Sequence, residues 1–150
     1  MIKLLSRSPA QTKKIGQILA KEILKTKLKR AFVLGLVGDL GGGKTTFLQG
    51  FAKGLGIKEK ILSPTFVILK KFKVKSLGFK VFYHIDCYRI SKPKEILNLG
   101  FKEIILNPQN IVAIEWADRI KKILPRETLI LKFDFLNQKE RKITLWRKNA

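Results

Sequence analysis

The sequence predicts an α/β fold, a single domain built around a mixed, partly antiparallel sheet. Three observations carry this. Two continuous apolar runs, Phe32–Val37 and Ile111–Trp116, have the composition of strands buried on both faces. Residues Pro9–Leu28 place Ile15, Ile18, Leu19, Ile23 and Leu24 at helical spacing with lysines opposite, the pattern of an amphipathic helix. Two further pairs of strand-like runs, Phe66–Phe72 with Lys80–Asp86 and Leu129–Leu136 with Arg141–Trp146, are joined by Lys73–Phe79 and Asn137–Glu140. Connections that short make antiparallel hairpins, because a parallel crossover needs a dozen residues or more.

The remaining elements follow in order. Gly38–Gly43 is a loop, and Lys44–Leu55 reads as a helix ending at Gly54 or Gly56. Pro93–Leu99 reads as a short helix closed by Gly100. No repeat, low-complexity tract or long linker interrupts the chain. Its 150 residues suit one domain, and an apolar fraction of 45% can supply a packed core.

Composition narrows the function. The longest apolar stretch, Ala31–Val37, is far short of the roughly 20 residues of a membrane span. The start of the chain has no apolar core or small-residue cleavage site, so no signal peptide is expected. The lone cysteine, Cys87, excludes an internal disulfide and suits a reducing compartment, so the expected location is the cytoplasm. There are 32 Lys+Arg against 11 Asp+Glu, a net charge of +21. This charge fits attraction to a nucleic acid or an acidic partner. It fits a compositional lysine bias equally, since the lysines are spread along the whole chain.

Gly38-Asp39-Leu40-Gly41-Gly42-Gly43-Lys44-Thr45 matches G-x-x-x-x-G-K-[ST] in full. It follows a buried strand and opens a helix, so the predicted fold is a P-loop NTPase-like domain spanning residues 1–150. Glycines let backbone N–H groups wrap a polyphosphate where a Cβ would block the approach. The new helix points its positive dipole end at the same place. Lys44 is placed to reach β- and γ-phosphate oxygens and the Thr45 hydroxyl to ligate Mg2+. Asp39 shapes the loop.

Such a loop needs an acidic partner. The strand through Ile114 delivers Glu115 at its carboxyl end, and the strand through Ile85 delivers Asp86. Each acid also fits a cap or a surface ion pair. No Asn-Lys-x-Asp motif is present and no Asp-x-x-Gly follows the loop, which argues against a GTPase. The absence of an arginine-rich lid argues against a small-molecule kinase.

Four segments in this order, GDLGGGKTT (Gly38–Thr46), SPTF (Ser63–Phe66), HIDCYRI (His84–Ile90) and IEW (Ile114–Trp116), resemble the bacterial TsaE family. That family is the small ATPase of tRNA threonylcarbamoyladenosine biosynthesis. The resemblance extends to Gln11-Thr12, Gly100-Phe101 and Leu124-Pro125, and so over residues 8 to 146. Gly42 departs from a usual alanine and Cys87 from a usual leucine. The resemblance implies binding of ATP and Mg2+ and slow hydrolysis by the chain alone. It implies action with the TsaB–TsaD pair, which transfers a threonylcarbamoyl group to the adenosine beside the anticodon in tRNAs reading codons that begin with A. Hydrolysis is implied to reset that complex between turnovers.

By the same resemblance, Gly41, Gly42, Gly43, Lys44, Thr45 and Thr46 form the nucleotide loop. Thr45 and Glu115 take the magnesium positions, Asp86 is an acid important for activity, Trp116 lies near the nucleotide and Thr12 near the adenine. Read from the residues alone, other roles stay open. Trp116 also fits plain packing at a strand end. Thr65 fits either a γ-phosphate switch or a strand start after Pro64. His84 reads as a hydrogen-bonded strand histidine rather than a general base. Arg141, in a lysine-rich hairpin, is assigned no role. Two other function classes compete: a nucleic-acid-binding module, motivated by the charge, and a small P-loop kinase. Neither explains the pairing of the EW strand with the HxDxYR strand. tRNA contact, if any, is expected indirectly or through the basic surface.

Overall fold

A computed structural model describes residues 1–39, 41–62 and 68–149. The element order is β1 (Ile2–Ser6), α1 (Pro9–Leu24), β2 (Phe32–Gly38), α2 (Lys44–Gly54), β3 (Leu69–Lys73), β4 (Val81–Asp86), α3 (Lys94–Leu97), α4 (Phe101–Leu106), β5 (Asn110–Glu115), a 3₁₀ segment (Ala117–Ile123), β6 (Leu129–Phe135) and β7 (Arg141–Arg147). Among the described residues the strands form one seven-stranded sheet ordered β1-β7-β6-β2-β5-β4-β3. The centre, β6-β2-β5-β4, is parallel, and the β6–β7, β7–β1 and β3–β4 pairs are antiparallel. The mixed sheet expected from sequence is therefore present, with both hairpins at its flanks and β2 beside β5.

The parallel centre needs cover on both faces. One face packs α1 and α2 over Leu34, Leu36, Phe82 and Leu131. The other packs α3, α4 and the 3₁₀ segment over Val33, Ile85, Val112 and Ile114. This explains why β2 and β5 read as unbroken apolar runs. Helix α1 starts at Pro9 with the Ser8 hydroxyl accepting from the Gln11 amide at 3.1 Å. Glycine makes its crossing with α2 possible: a Cβ on Gly50 would run into the Lys13 carbonyl, and one on Gly16 into that of Phe47.

Several boundaries differ from the sequence reading. Helix α1 stops at Leu24, four residues before Leu28, because Thr26 turns its amide and hydroxyl back onto the Ile23 carbonyl. Strand β3 is described from Leu69, and the SPTF segment, Thr65 included, lies outside the described residues. The expected Pro93–Leu99 helix is the shorter α3, after which Gly100, at φ +84°, opens the unexpected α4. Strand β1 was also unexpected; it exists by pairing with β7. Among the described residues no helix is long and apolar enough to cross a membrane.

Candidate phosphate-binding site

After β2 the chain passes through β3 and β4, both on one side of β2, and β5 is followed by β6 on the other side. The sheet order thus reverses at the carboxyl end of β2, where α/β sheets leave a crevice for ligands. The glycine-rich loop begins there. The Gly42 amide donates to the Asp39 carbonyl at 3.1 Å, and Gly43, at φ +98°, turns the chain into α2. Leu40 lies outside the described residues.

Lys44 is the first residue of α2 and is buried. Its Nζ donates to the carbonyls of Gly38 and, at 2.8 Å, Asp39, and lies 4.3 Å from the centre of the Trp116 ring. The loop is therefore wrapped around its own lysine. Burial lowers the Lys44 pKa, and the surrounding acids, Glu115 first, oppose that shift. An ammonium group held by backbone carbonyls among helix-start N–H groups is chemically suited to an incoming polyphosphate.

The acids arrive from two neighbouring strands. In the parallel β4–β5 register Asp86 sits opposite Glu115, and Glu115 in turn sits opposite Leu36 of β2. Both are buried. Glu115 uses both oxygens: Oε1 accepts the Thr45 hydroxyl at 3.2 Å and Oε2 lies 2.7 Å from His84 Nε2. His84 precedes Asp86 by two residues and so shares its face of β4. Asp86 Oδ1 accepts the Tyr88 amide at 2.9 Å. Burial raises the Asp86 carboxyl above its ordinary range. Burial also pushes the neighbouring Cys87 thiol up to about 12, leaving it an inert apolar filler.

A hydroxyl oxygen hydrogen-bonded to a buried carboxylate is the donor set that hard divalent cations take. Thr45 and Glu115 fit such a cation. Asp86, one strand further out, is placed to bind a water or to act on the ligands from outside.

The remaining sequence-assigned residues are distributed unevenly. Trp116 does not continue β5; it adopts the left-handed conformation, φ 57° and ψ 42°. That turn lays the ring against Lys44, 5.1 Å from the Tyr88 ring and 5.3 Å from the Arg119 guanidinium. Thr46 is half-buried in the first turn of α2. Thr12 is buried at the start of α1 with its hydroxyl 2.6 Å from that of Ser6, engaged in the β1–α1 corner. Arg141, given no role from sequence, reaches from β7 to donate its Nε to the Gly41 carbonyl at 3.1 Å. Arg119 and Tyr88 were also passed over. Tyr88 had a signal, its place in the HIDCYRI segment, whereas nothing local marked Arg119 or Arg141.

The family model described as threonylcarbamoyl adenosine biosynthesis protein TsaE matches residues 6–143. This chain belongs to the TsaE family. Among its TsaE relatives, the tRNA threonylcarbamoyladenosine biosynthesis protein TsaE of Bacillus subtilis is 39% identical over 137 residues, covering 91% of this chain and 80% of that protein. The Treponema pallidum protein of the same name is 33% identical over 140 residues, covering 93% and 96%. The crystal structure of Bacillus subtilis YdiB superposes with a TM-score of 0.75 at 35% identity, over 96% of this chain and 83% of that one. The span matched to the TsaE model begins at Ser6, the partner of Thr12, and runs past Arg141, so it holds every residue of the site described above.

Proposed function

We propose that the chain is a Mg2+-dependent ATPase serving tRNA threonylcarbamoyladenosine biosynthesis in the cytoplasm. In this reading it acts with the TsaB–TsaD pair, which carries out the transfer to the adenosine next to the anticodon. Membership of the TsaE family supports the process. The observation that carries the ATPase reading is the meeting of Lys44 and Thr45, at the start of α2, with Glu115 at the end of β5.

The loop amides and Lys44 bind the β- and γ-phosphates, with the lysine exchanging its loop carbonyls for phosphate oxygens. Thr45 and Glu115 would hold Mg2+, which would supply positive charge to offset that of the phosphates. His84 fixes the rotamer of Glu115, so that Oε1 faces Thr45. Asp86 orients the attacking water. Trp116 braces Lys44 with its ring, and Thr12 lies toward the adenine end. Phosphoryl transfer asks mainly for positioning and charge stabilisation, and these residues supply both.

The test is ATP hydrolysis measured with and without the TsaB–TsaD pair and tRNA. Slow turnover alone and strong stimulation by the pair are expected. No hydrolysis under any of these conditions would defeat the ATPase reading and leave only the process.

A further inference from the structure

The end of the sheet away from the loop, where β2 and β6 begin, holds a cavity of about 440 Å³. It opens where the end of α1, the turn into β2, the end of α4 and the turn into β6 converge. The Ala31 amide donates to the Ile105 carbonyl at 3.0 Å, tying the turn before β2 to α4. The Thr128 hydroxyl closes the turn before β6 on the Pro125 carbonyl at 2.7 Å. These bonds satisfy local backbone groups and leave side chains to line the space.

The lining has two characters. Ile23, Phe32, Val33 and Ile105 make an apolar interior, and Leu28 and Leu106 extend it outward while 41% and 56% exposed. Lys29, Arg30 and Arg147 bring three cations against one acid, Glu127. The size falls in the range of small-molecule sites, roughly 300–1,000 Å³, and an apolar cleft with a few convergent charged groups is the usual make-up of one. Strand β2 begins at this cavity and ends at the phosphate loop, so its seven residues separate the two by roughly 20 Å.

We infer that this cavity binds a small organic anion, a carboxylate, sulfonate or phosphate carried on an aromatic or aliphatic body, independently of the nucleotide. The interior removes the hydrocarbon from water. Arg30 and Arg147 supply planar donor forks matched to a three-atom anionic group, and Lys29 adds a point charge.

The probe is anilinonaphthalene sulfonate, titrated by fluorescence into the full chain, with the uncharged phenylnaphthylamine as comparison. Saturable one-site binding is expected, unchanged by saturating ATP and Mg2+. Reversing both arginines, Arg30→Glu with Arg147→Glu, should weaken it at least about tenfold, as should removing the probe's charge. Reversing Lys70 and Lys71 on the far edge strand β3 should change it less than about twofold, because charges beyond a screening length count little. If the charge-reversed protein melts without cooperativity, Arg30→Ala with Arg147→Ala takes its place, with the same loss expected. Competition by ATP, equal binding of the neutral compound, equal loss on reversing Lys70 and Lys71, or no saturable binding would each overturn the inference. The last result is the one expected if the cavity seats only a side chain of an acidic protein partner.

Discussion

His84 Nε2 lies 2.7 Å from Glu115 Oε2, and both side chains are sealed from solvent. The contact links adjacent strands diagonally, since His84 is opposite Ala113, two residues before Glu115. It leaves the other carboxylate oxygen to Thr45 at the start of α2. A pair that reads locally as a strand histidine and a strand-end acid is therefore one unit. His84→Leu should leave Glu115 with an unsatisfied oxygen, at a cost of about 1–3 kcal/mol. It should lower turnover far more than ATP affinity. His84→Gln keeps a donor and should recover much of the loss. Steady-state kinetics and calorimetric binding on both variants check this, and equal turnover in the two would remove the positioning role.

In the proposed reading Lys44 reaches from the start of α2 to the phosphates. Lys44→Ala removes a charge-assisted hydrogen bond, commonly about 1.5–3 kcal/mol, so ATP affinity should fall by roughly ten- to a hundredfold. Isothermal calorimetry measures this directly. An unchanged affinity would take the loop out of the site.

Glu115 and Asp86 should separate binding from turnover. Phosphoryl transfer depends on charge placement at the γ-phosphate, and among the described residues neither acid is hydrogen-bonded to a loop amide. Glu115→Ala and Asp86→Ala should each keep nucleotide affinity within about tenfold, roughly 1.4 kcal/mol, while partner-stimulated hydrolysis collapses. Parental hydrolysis in either variant would exclude that acid.

Asp86 also predicts a pH effect on stability. Burial raises its folded pKa above the ordinary 3.8, Glu115 adds to the rise, and the Tyr88 amide, His84 and Lys44 oppose it. Between the two values the folded state keeps a proton that the unfolded chain has released, so stability falls as pH rises through that window. The penalty is absent below the unfolded value and complete above the folded one. Asp86→Asn should therefore melt higher than the parent at neutral pH and converge with it below about pH 4. Thermal melts across that range decide it. A variant less stable than the parent at neutral pH would show that the Tyr88 contact outweighs burial.

The net charge of +21 bears on tRNA. If the basic surface contacts the nucleic acid, affinity should fall steeply with added salt, because each neutralised phosphate releases condensed counterions. A gel-shift series from low to physiological salt tests this. No binding anywhere in the series would leave lysine-biased composition as the origin of the charge.

The amino-acid sequence by itself determined what short-range pattern can encode. The apolar runs of β2 and β5, the loop at Gly38–Gly43, the start of α2 at Lys44 and the two flanking hairpins were all legible, because burial, turn chemistry and helix capping act over a few residues. Strand β1 was not legible: its five residues, mostly exposed, gain strand character only by pairing with β7, at the other end of the chain. Trp116 looked like the last residue of an apolar strand, and its left-handed turn onto Lys44 depends on what the ring packs against. The contacts from His84 to Glu115, from Arg141 to Gly41 and from Thr12 to Ser6 were likewise decided by tertiary structure. Strand register and helix crossing set which distant side chains meet, and both come from packing the two faces of the sheet, which no local period records.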